Sequence, residues 1–295
     1  MKIVKFLIPL TITVLILFFL FSKIDYNEVE KIISESDKKN LFLAVLIFFL
    51  PILISALRWK TLMKIAGGDI NYKSVLGAYL ANIPISKMSP LNSGSFVRAF
   101  YFKDKIPVSK NMGIIFLENM LDFMLVSFFV LLGGLILKIK IAVIMGTVVF
   151  LSGLCFLIFI PKIKLTINEK WKNKLANFSD VSMILHGAPG FFFLIIFYTF
   201  LAWLLVLTCF KFLFLAFGIK ISFLYIITSQ PIVILLGLIP ITISGVGARE
   251  SIMVYLYHQF APVSSIVAVG LSYSFLAVIL LPLLCLPFLF KYIWK

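Results

Sequence analysis

Long apolar runs alternate with short polar breaks along this chain, and run length sets the architecture that the pattern predicts. A helix needs about 20 consecutive apolar residues to cross a bilayer core. Runs that satisfy this, or come close, lie at residues 6–21, 41–57, 112–137, 141–160, 191–217 and 263–290. They predict an all-α polytopic membrane protein with about six full transmembrane helices. The first run follows Lys2 and Lys5 and lacks a small-residue cleavage site after it, so it is expected to be a retained span. The second stops at Arg58-Trp59-Lys60, a basic and aromatic pattern expected at a membrane interface.

Two further stretches, about 72–101 and 223–260, are apolar but broken. Pro84, Pro90, Asn92 and Gly94 interrupt one; Gly237, Pro240, Gly245 and Gly247 interrupt the other. Non-helical backbone is tolerated at membrane depth where it is buried in protein or lines a cavity. Both stretches are therefore expected to be re-entrant hairpins. Orientation follows from the basic residues. With the N-terminus in the cytoplasm, the larger share of Lys and Arg falls inside, including the 161–189 loop and the C-terminal Lys291 and Lys295. This works if each hairpin returns to the side it entered, one dipping from the cytoplasm and the other from the opposite face. A single integral membrane domain over 1–295, with both termini cytoplasmic in a cell membrane, is the expectation.

Composition agrees with a membrane chain: 62% of residues are hydrophobic, which no soluble domain of this size needs. The net charge of +15 does not imply a nucleic-acid partner, because basic loops sit against anionic headgroups in any such protein. Cys155, Cys209 and Cys285 all lie within apolar runs and have neither disulfide nor zinc spacing. His186 and His258 have no serine or cysteine partner at a readable spacing, so a nucleophilic site is not expected.

Charge placement is more informative than charge balance. The chain has only three arginines, and two close the same phrase: Ser93-Gly94-Ser95-Phe96-Val97-Arg98 and Ser244-Gly245-Val246-Gly247-Ala248-Arg249. A guanidinium grips phosphate through a planar fork that lysine lacks. Each phrase follows a proline and is expected to restart a helix, whose free N–H groups and dipole also favour an anion. Ser93 and Ser244 are candidate caps or ligands, and Gly94, Gly245 and Gly247 candidate backbone donors. Broken helices meeting near the midplane from opposite sides belong to inverted-repeat transporters. A third cluster is Glu118 and Asp122, four apart and on one helix face within an otherwise uncharged run. Such carboxylates need an arginine, a cation or a proton. They are expected to pair with Arg98 or Arg249, or to couple transport to ions. Glu250 is expected to pack inward and Arg249 to face the cavity.

The phrase Pro240-Ile-Thr-Ile-Ser-Gly245-Val-Gly-Ala-Arg-Glu250 resembles the signature of the lysylphosphatidylglycerol synthase transmembrane, or flippase-like, family. Arg58-Trp59, Asn82-Ile-Pro84, Gly94-x-x-x-Arg98 and Glu118-Asn119-x-x-Asp122 fall in the family's order. The resemblance covers nearly the whole chain. It implies a flippase- or scramblase-type translocase for an anionic phospholipid or a polyprenyl-phosphate-linked glycan, with no cofactor. Members include the flippase half of bacterial multiple peptide resistance proteins and proteins tied to archaeal dolichol-linked glycosylation. Ser95 and Asn119 stand where the family often carries charge, which puts the coupling scheme in doubt. No loop here could hold the catalytic half of the resistance proteins, so aminoacyl transfer is not expected. Alternatives are a membrane-embedded prenyl or glycosyl transferase, or a lipid-binding accessory subunit working as a homo-oligomer or beside a lipid-modifying enzyme.

Overall fold

A computed structural model describes residues 32, 34–87, 89–159, 189–237 and 247–293. The expected span at 6–21, most of the 161–189 loop, and Pro240, Ser244 and Gly245 lie outside the described residues. Among the described residues the fold is entirely helical, and five helices are long and apolar enough to cross a membrane. They are α1 (Lys38–Ile65), α3 (Val108–Ile136), α4 (Lys140–Phe159), α5 (Pro189–Ala216), and a continuous final run of α8 (Val263–Ser274), a π-helical turn (Phe275–Leu280) and α9 (Leu281–Ile293). Each corresponds to an apolar run of the sequence. Between them lie α2 (Tyr72–Lys87), a 3-10 helix (Pro90–Phe102), α6 (Phe223–Gly237) and α7 (Ala248–Tyr257).

Helix α1 is capped by Asp37, whose carboxylate accepts from the backbone N–H groups of Lys39 at 2.9 Å and Asn40 at 3.3 Å. This satisfies two of the four donors that a helix start leaves unpaired. Contrary to the sequence expectation, α1 does not end at Leu57. It continues two turns to Ile65, and Arg58 and Trp59 are buried within the protein. The reason is that both side chains find polar partners inside the bundle, so burial costs them little.

In each broken stretch the described helices lie side by side. The backbone N–H of Asp37 donates to the carbonyl of Ala216 at 2.8 Å, so α1 begins where α5 ends. The turn after α1, from which α2 departs, therefore lies at the opposite end of the bundle from the turn after α5, from which α6 departs. Helix α2 is 16 residues and the returning 3-10 helix 13. At rises of about 1.5 and 2.0 Å per residue they cover about 24 and 26 Å, so the shorter segment retraces the longer. A Cβ on Gly68 would meet Ile106, which confirms that the return ends beside its start. The second stretch behaves likewise. Tyr225, near the start of α6, donates its hydroxyl to the carbonyl of Leu256 at 2.7 Å near the end of α7.

The first return does not start as the sequence suggested. Pro90, not Gly94, opens the 3-10 helix, and Ser93 is exposed. Proline presets the φ that a helix start needs and has no N–H to satisfy. The N–H of Gly94 is taken by the Ser89 hydroxyl at 2.6 Å. Glycine is required at 94 because a Cβ there would lie 2.6 Å from the Ile85 carbonyl oxygen. Gly133 does the same where α3 crosses α6: its Cβ would fall 1.8 Å from the Thr228 carbonyl oxygen.

Candidate functional site

The polar centre of the bundle is built on Arg58 of α1 and the face of α3 that carries Glu118 and Asp122. Nη1 and Nη2 of Arg58 each donate to one oxygen of Asp122 at 2.8 Å, a parallel fork. Nε donates to Glu118 Oε1 at 3.3 Å, and Nη1 also donates to Thr199 Oγ1 at 2.8 Å. Thr199 passes its own proton to the Ile195 carbonyl of α5. The indole of Trp203 donates to Asp122 Oδ1 at 3.0 Å. The second oxygen of Glu118 accepts from Nη2 of Arg98 at 2.5 Å. Asp122, Arg58, Glu118 and Arg98 thus form a chain of alternating charge with no net charge. Burial is deep, with Arg58 3% exposed, Glu118 1% and Arg98 4%.

Arg98 is also fixed by two rings. Its guanidinium carbon lies 4.7 Å from the Trp59 ring centre and 5.0 Å from that of Tyr79, close enough for cation–π attraction. Trp59 is held in turn, because its indole donates to Asn111 Oδ1 at 3.1 Å. The Asn111 amide donates to the carbonyl of Ala99 at 3.2 Å, next to Arg98 itself. Among the described residues the Nε of Arg98 has no acceptor.

Arg58, Arg98, Asp122 and Tyr79 of this cluster line a cavity of about 240 Å³. Its polar side comprises Arg58, Arg98, Asp122, Asn82, Ser95 and Asn119, with Lys87 beside them. Its apolar lining includes Phe48, Pro51, Ile52, Val206, Ala277 and Leu281. The Asn119 amide donates to Ser95 Oγ at 3.2 Å, joining α3 to the 3-10 helix across the wall. Asn82 Oδ1, on a residue only 4% exposed, has no hydrogen-bond partner among the described residues.

At the other helix pair, Glu250 is fully buried. Its Oε2 accepts from the backbone N–H of Gly247 at 2.6 Å and its Oε1 from the Ser274 hydroxyl at 2.7 Å. Gly247 has φ 86°, a left-handed conformation that favours glycine. The start of α7 therefore already carries a carboxylate from its own first turn, and the Gly247 N–H is not a vacant anion donor. Arg249 meets the same serine: its Nη1 donates to Ser274 Oγ at 3.3 Å and its guanidinium carbon lies 5.4 Å from the Tyr273 ring centre. Arg249 is not itself in the cavity wall, but Tyr273 is, and its charge interacts with that of Lys87, which also is. Ser274 immediately precedes the π-helical turn, and Ala277 and Leu281 carry the cavity wall onward from it.

The structure thus brings Arg98, Glu118 and Asp122 together and sets Arg249 and Glu250 in an adjoining network. Ser93 and Gly94 are not in the cavity wall. Arg58, Trp59, Asn82, Thr199 and Trp203 were not read as site residues from the sequence. A signal for Arg58 was present, since it is the third of three arginines. Among the described residues no three His, Cys, Asp or Glu side chains converge as metal ligands. His258 is exposed, with Nδ1 2.8 Å from the Tyr255 carbonyl.

Three archaeal proteins, each described as a UPF0104 membrane protein, are similar to the chain. That of Archaeoglobus fulgidus is 27% identical over 280 residues, covering 83% of this chain and 85% of its own. That of Pyrococcus horikoshii is 22% identical over 264 residues, covering 77% and 79%. The match to the Methanocaldococcus jannaschii protein is 27% identical over 134 residues and spans 44% of this chain and 40% of that protein. The family model described as the lysylphosphatidylglycerol synthase TM region matches residues 6–285. With that match running through every element of the polar cluster, the chain is a multi-pass membrane protein that belongs to the lysylphosphatidylglycerol synthase TM region family.

Proposed function

We propose that the chain is a translocase of flippase or scramblase type for an anionic lipid or a polyprenyl-phosphate-linked glycan, without enzymatic turnover of its own. The observation that carries this reading is the cavity. Its lining combines a buried arginine, whose Nε has no acceptor among the described residues, with apolar side chains such as Phe48, Val206 and Leu281. Its volume of about 240 Å³ is below the ~300–1,000 Å³ of sites that enclose a drug-sized ligand. It suits a headgroup phosphate whose acyl or prenyl chains stay in the bilayer.

In this reading the two broken stretches are re-entrant hairpins, related as an inverted repeat within one domain, with both chain termini cytoplasmic in a cell membrane. The arriving phosphate takes the Nε edge of Arg98 and competes with Glu118 for its Nη2. Glu118 keeps its contact with Arg58, so no carboxylate is left bare at membrane depth, where an unpaired charge is expensive. Lys87 and Arg249 supply further positive charge on the side of the second hairpin. Neutrality of the resting cluster allows an anion to enter without the protein holding an uncompensated cation when empty.

The test is reconstitution of the purified chain in liposomes containing a trace of fluorescent anionic phospholipid or polyprenyl phosphate, with dithionite quenching from outside. Protein-dependent loss of the inner-leaflet signal is expected. Saturable binding without any acceleration would contradict translocation and favour an accessory role. Magnesium-dependent turnover of a polyprenyl donor, abolished by Asp122→Asn, would favour the transferase.

A further inference from the structure

The two halves of the last membrane-length run pack on different helix pairs. Helix α8 packs on α7, so closely that a Cβ on Gly270 would lie 2.8 Å from Glu250 Cγ. Ser274, the last residue of α8, is tied to α7 by two hydrogen bonds, one from Arg249 and one to Glu250. Helix α9 packs instead on α2, where the Tyr292 hydroxyl donates to the Ser74 carbonyl at 2.8 Å. Between the halves stands the π-helical turn, in which the Leu281 N–H donates five residues back to the Leu276 carbonyl. Pro282 accounts for its place. A proline ring crowds the carbonyl four residues before it, here that of Val278, and offers no N–H. A wider turn relieves the crowding.

The turn also sets the cavity wall, because Tyr273, Ala277 and Leu281 line it from this run at intervals of four. In an α-helix four residues overshoot a full circle by about 40°, so the three would fan across about 80°. The π turn takes up the excess and keeps them on one face. Its own sequence, Phe275-Leu-Ala-Val-Ile-Leu280, carries no polar side chain to pin it. Closing it to α geometry rotates α9 by about 100° against α8 and lengthens the run by about 1.5 Å, one residue's share of an α-helix. Leu281 then leaves the wall while Tyr273 stays. An occupant of the cavity meets a different wall in each register, which is the differential contact that lets a ligand shift such an equilibrium. We propose that the π turn is a register switch that turns α9 against α8 and thereby couples the first helix pair to the second across the cavity. Single π turns within α-helices are frequent at functional sites. The part of this switch in transport rests on the translocase reading, whereas its two registers are measured without transport.

The experiment places pairs of spin labels on the full chain, its three cysteines replaced by alanine, in nanodiscs of phosphatidylcholine with or without phosphatidylglycerol. One label sits at Leu283, exposed on α9; the reference is Tyr255 on α7 in one sample and Phe42 on α1 in another, both exposed. A rotation of about 100° carries a side-chain tip on a helix of about 11 Å diameter through about 8 Å. Two distance populations are expected from at least one reference, in a ratio that phosphatidylglycerol changes. Deleting Ile279, which is exposed within the turn, together with Pro282→Ala lets the shortened run close as an α-helix with α9 held in its present orientation. That variant should give one population, a melting temperature unchanged or raised, and no lipid translocation in liposomes. Translocation by that variant at the undeleted rate overturns the inference. So does one lipid-independent population in the undeleted chain, which decides the matter even if the deletion fails to assemble. Two populations in a chain that moves no lipid leave the switch standing and overturn the translocase reading instead.

Discussion

Arg58 and Asp122 face each other across α1 and α3 through two parallel hydrogen bonds of 2.8 Å, and Asp122 takes a third from the Trp203 indole. The pair ties three helices together, because Thr199 and Trp203 both belong to α5. It also leaves Asp122 as the partly accessible end of the charge chain, with its side chain 30% exposed toward the cavity.

Removing the cation should therefore be costly. Arg58→Ala leaves Asp122 without its fork and Glu118 with Arg98 alone, a loss of about 3–5 kcal/mol by the usual cost of breaking a buried pair. Arg58→Lys keeps the charge but not the fork and should fall between. Thermal unfolding of the detergent-solubilised protein checks the order, unsubstituted above Lys above Ala. Equal melting of all three would contradict a structural role for the pair.

The ring pair around Arg98 gives a different signature. Trp59→Phe retains an aromatic face but loses the hydrogen bond to Asn111, whereas Trp59→Leu loses both. Each cation–π contact is worth about 0.5–2 kcal/mol. Half-saturating lipid concentration should rise modestly in the Phe variant and by about tenfold in the Leu variant. Concentration-dependent transport measures it. A purely structural role would instead lower the maximal rate at unchanged half-saturation.

Helix crossing supplies a third outcome. Gly133→Ala places a methyl where only 1.8 Å separates it from the Thr228 carbonyl oxygen, so α3 and α6 must part. Overpacking of this kind costs about 1–3 kcal/mol or more. Gly190→Ala, with nothing within 4 Å of the added carbon, is the matched control. The first should lower the melting temperature and the second leave it unchanged or raised.

Glu250 is testable through the helix it caps. Glu250→Gln retains the shape and loses the charge that the Gly247 N–H and Ser274 hydroxyl address. About 1–3 kcal/mol of stabilisation should go with it. Amide exchange in the first turn of α7 is expected to quicken before exchange elsewhere. Uniform exchange across the chain would mean that Glu250 does not cap this helix locally.

Much of this architecture was legible in the sequence because run length and breakers act locally. Five apolar runs gave five membrane-length helices, and the proline and glycine breaks marked both folded-back helix pairs. The cost of a lone buried carboxylate also called for an arginine, Arg98 or Arg249; Glu118 takes Arg98, whereas Asp122 takes Arg58, which was not foreseen. What local pattern does not specify is burial within the protein. Arg58-Trp59 has the composition of an interface anchor, and only the distant Asn111, Glu118, Asp122 and Thr199 make it an interior site. The role of Ser89 is hidden for the same reason: Ser-Gly reads as a cap, but an upstream serine reached the Gly94 N–H first. At Gly247 the donor expected to await an anion is taken by Glu250, because a carboxylate three residues into a helix can fold back to its start.

The central claim is that Arg98 receives the lipid phosphate in the cavity. It is tested most directly by lipid translocation in liposomes with Arg98→Lys, at matched protein content and verified folding. Lysine keeps the charge but loses the planar edge, so translocation of the anionic lipid should fall by at least about tenfold. An unchanged rate in Arg98→Lys would contradict the account.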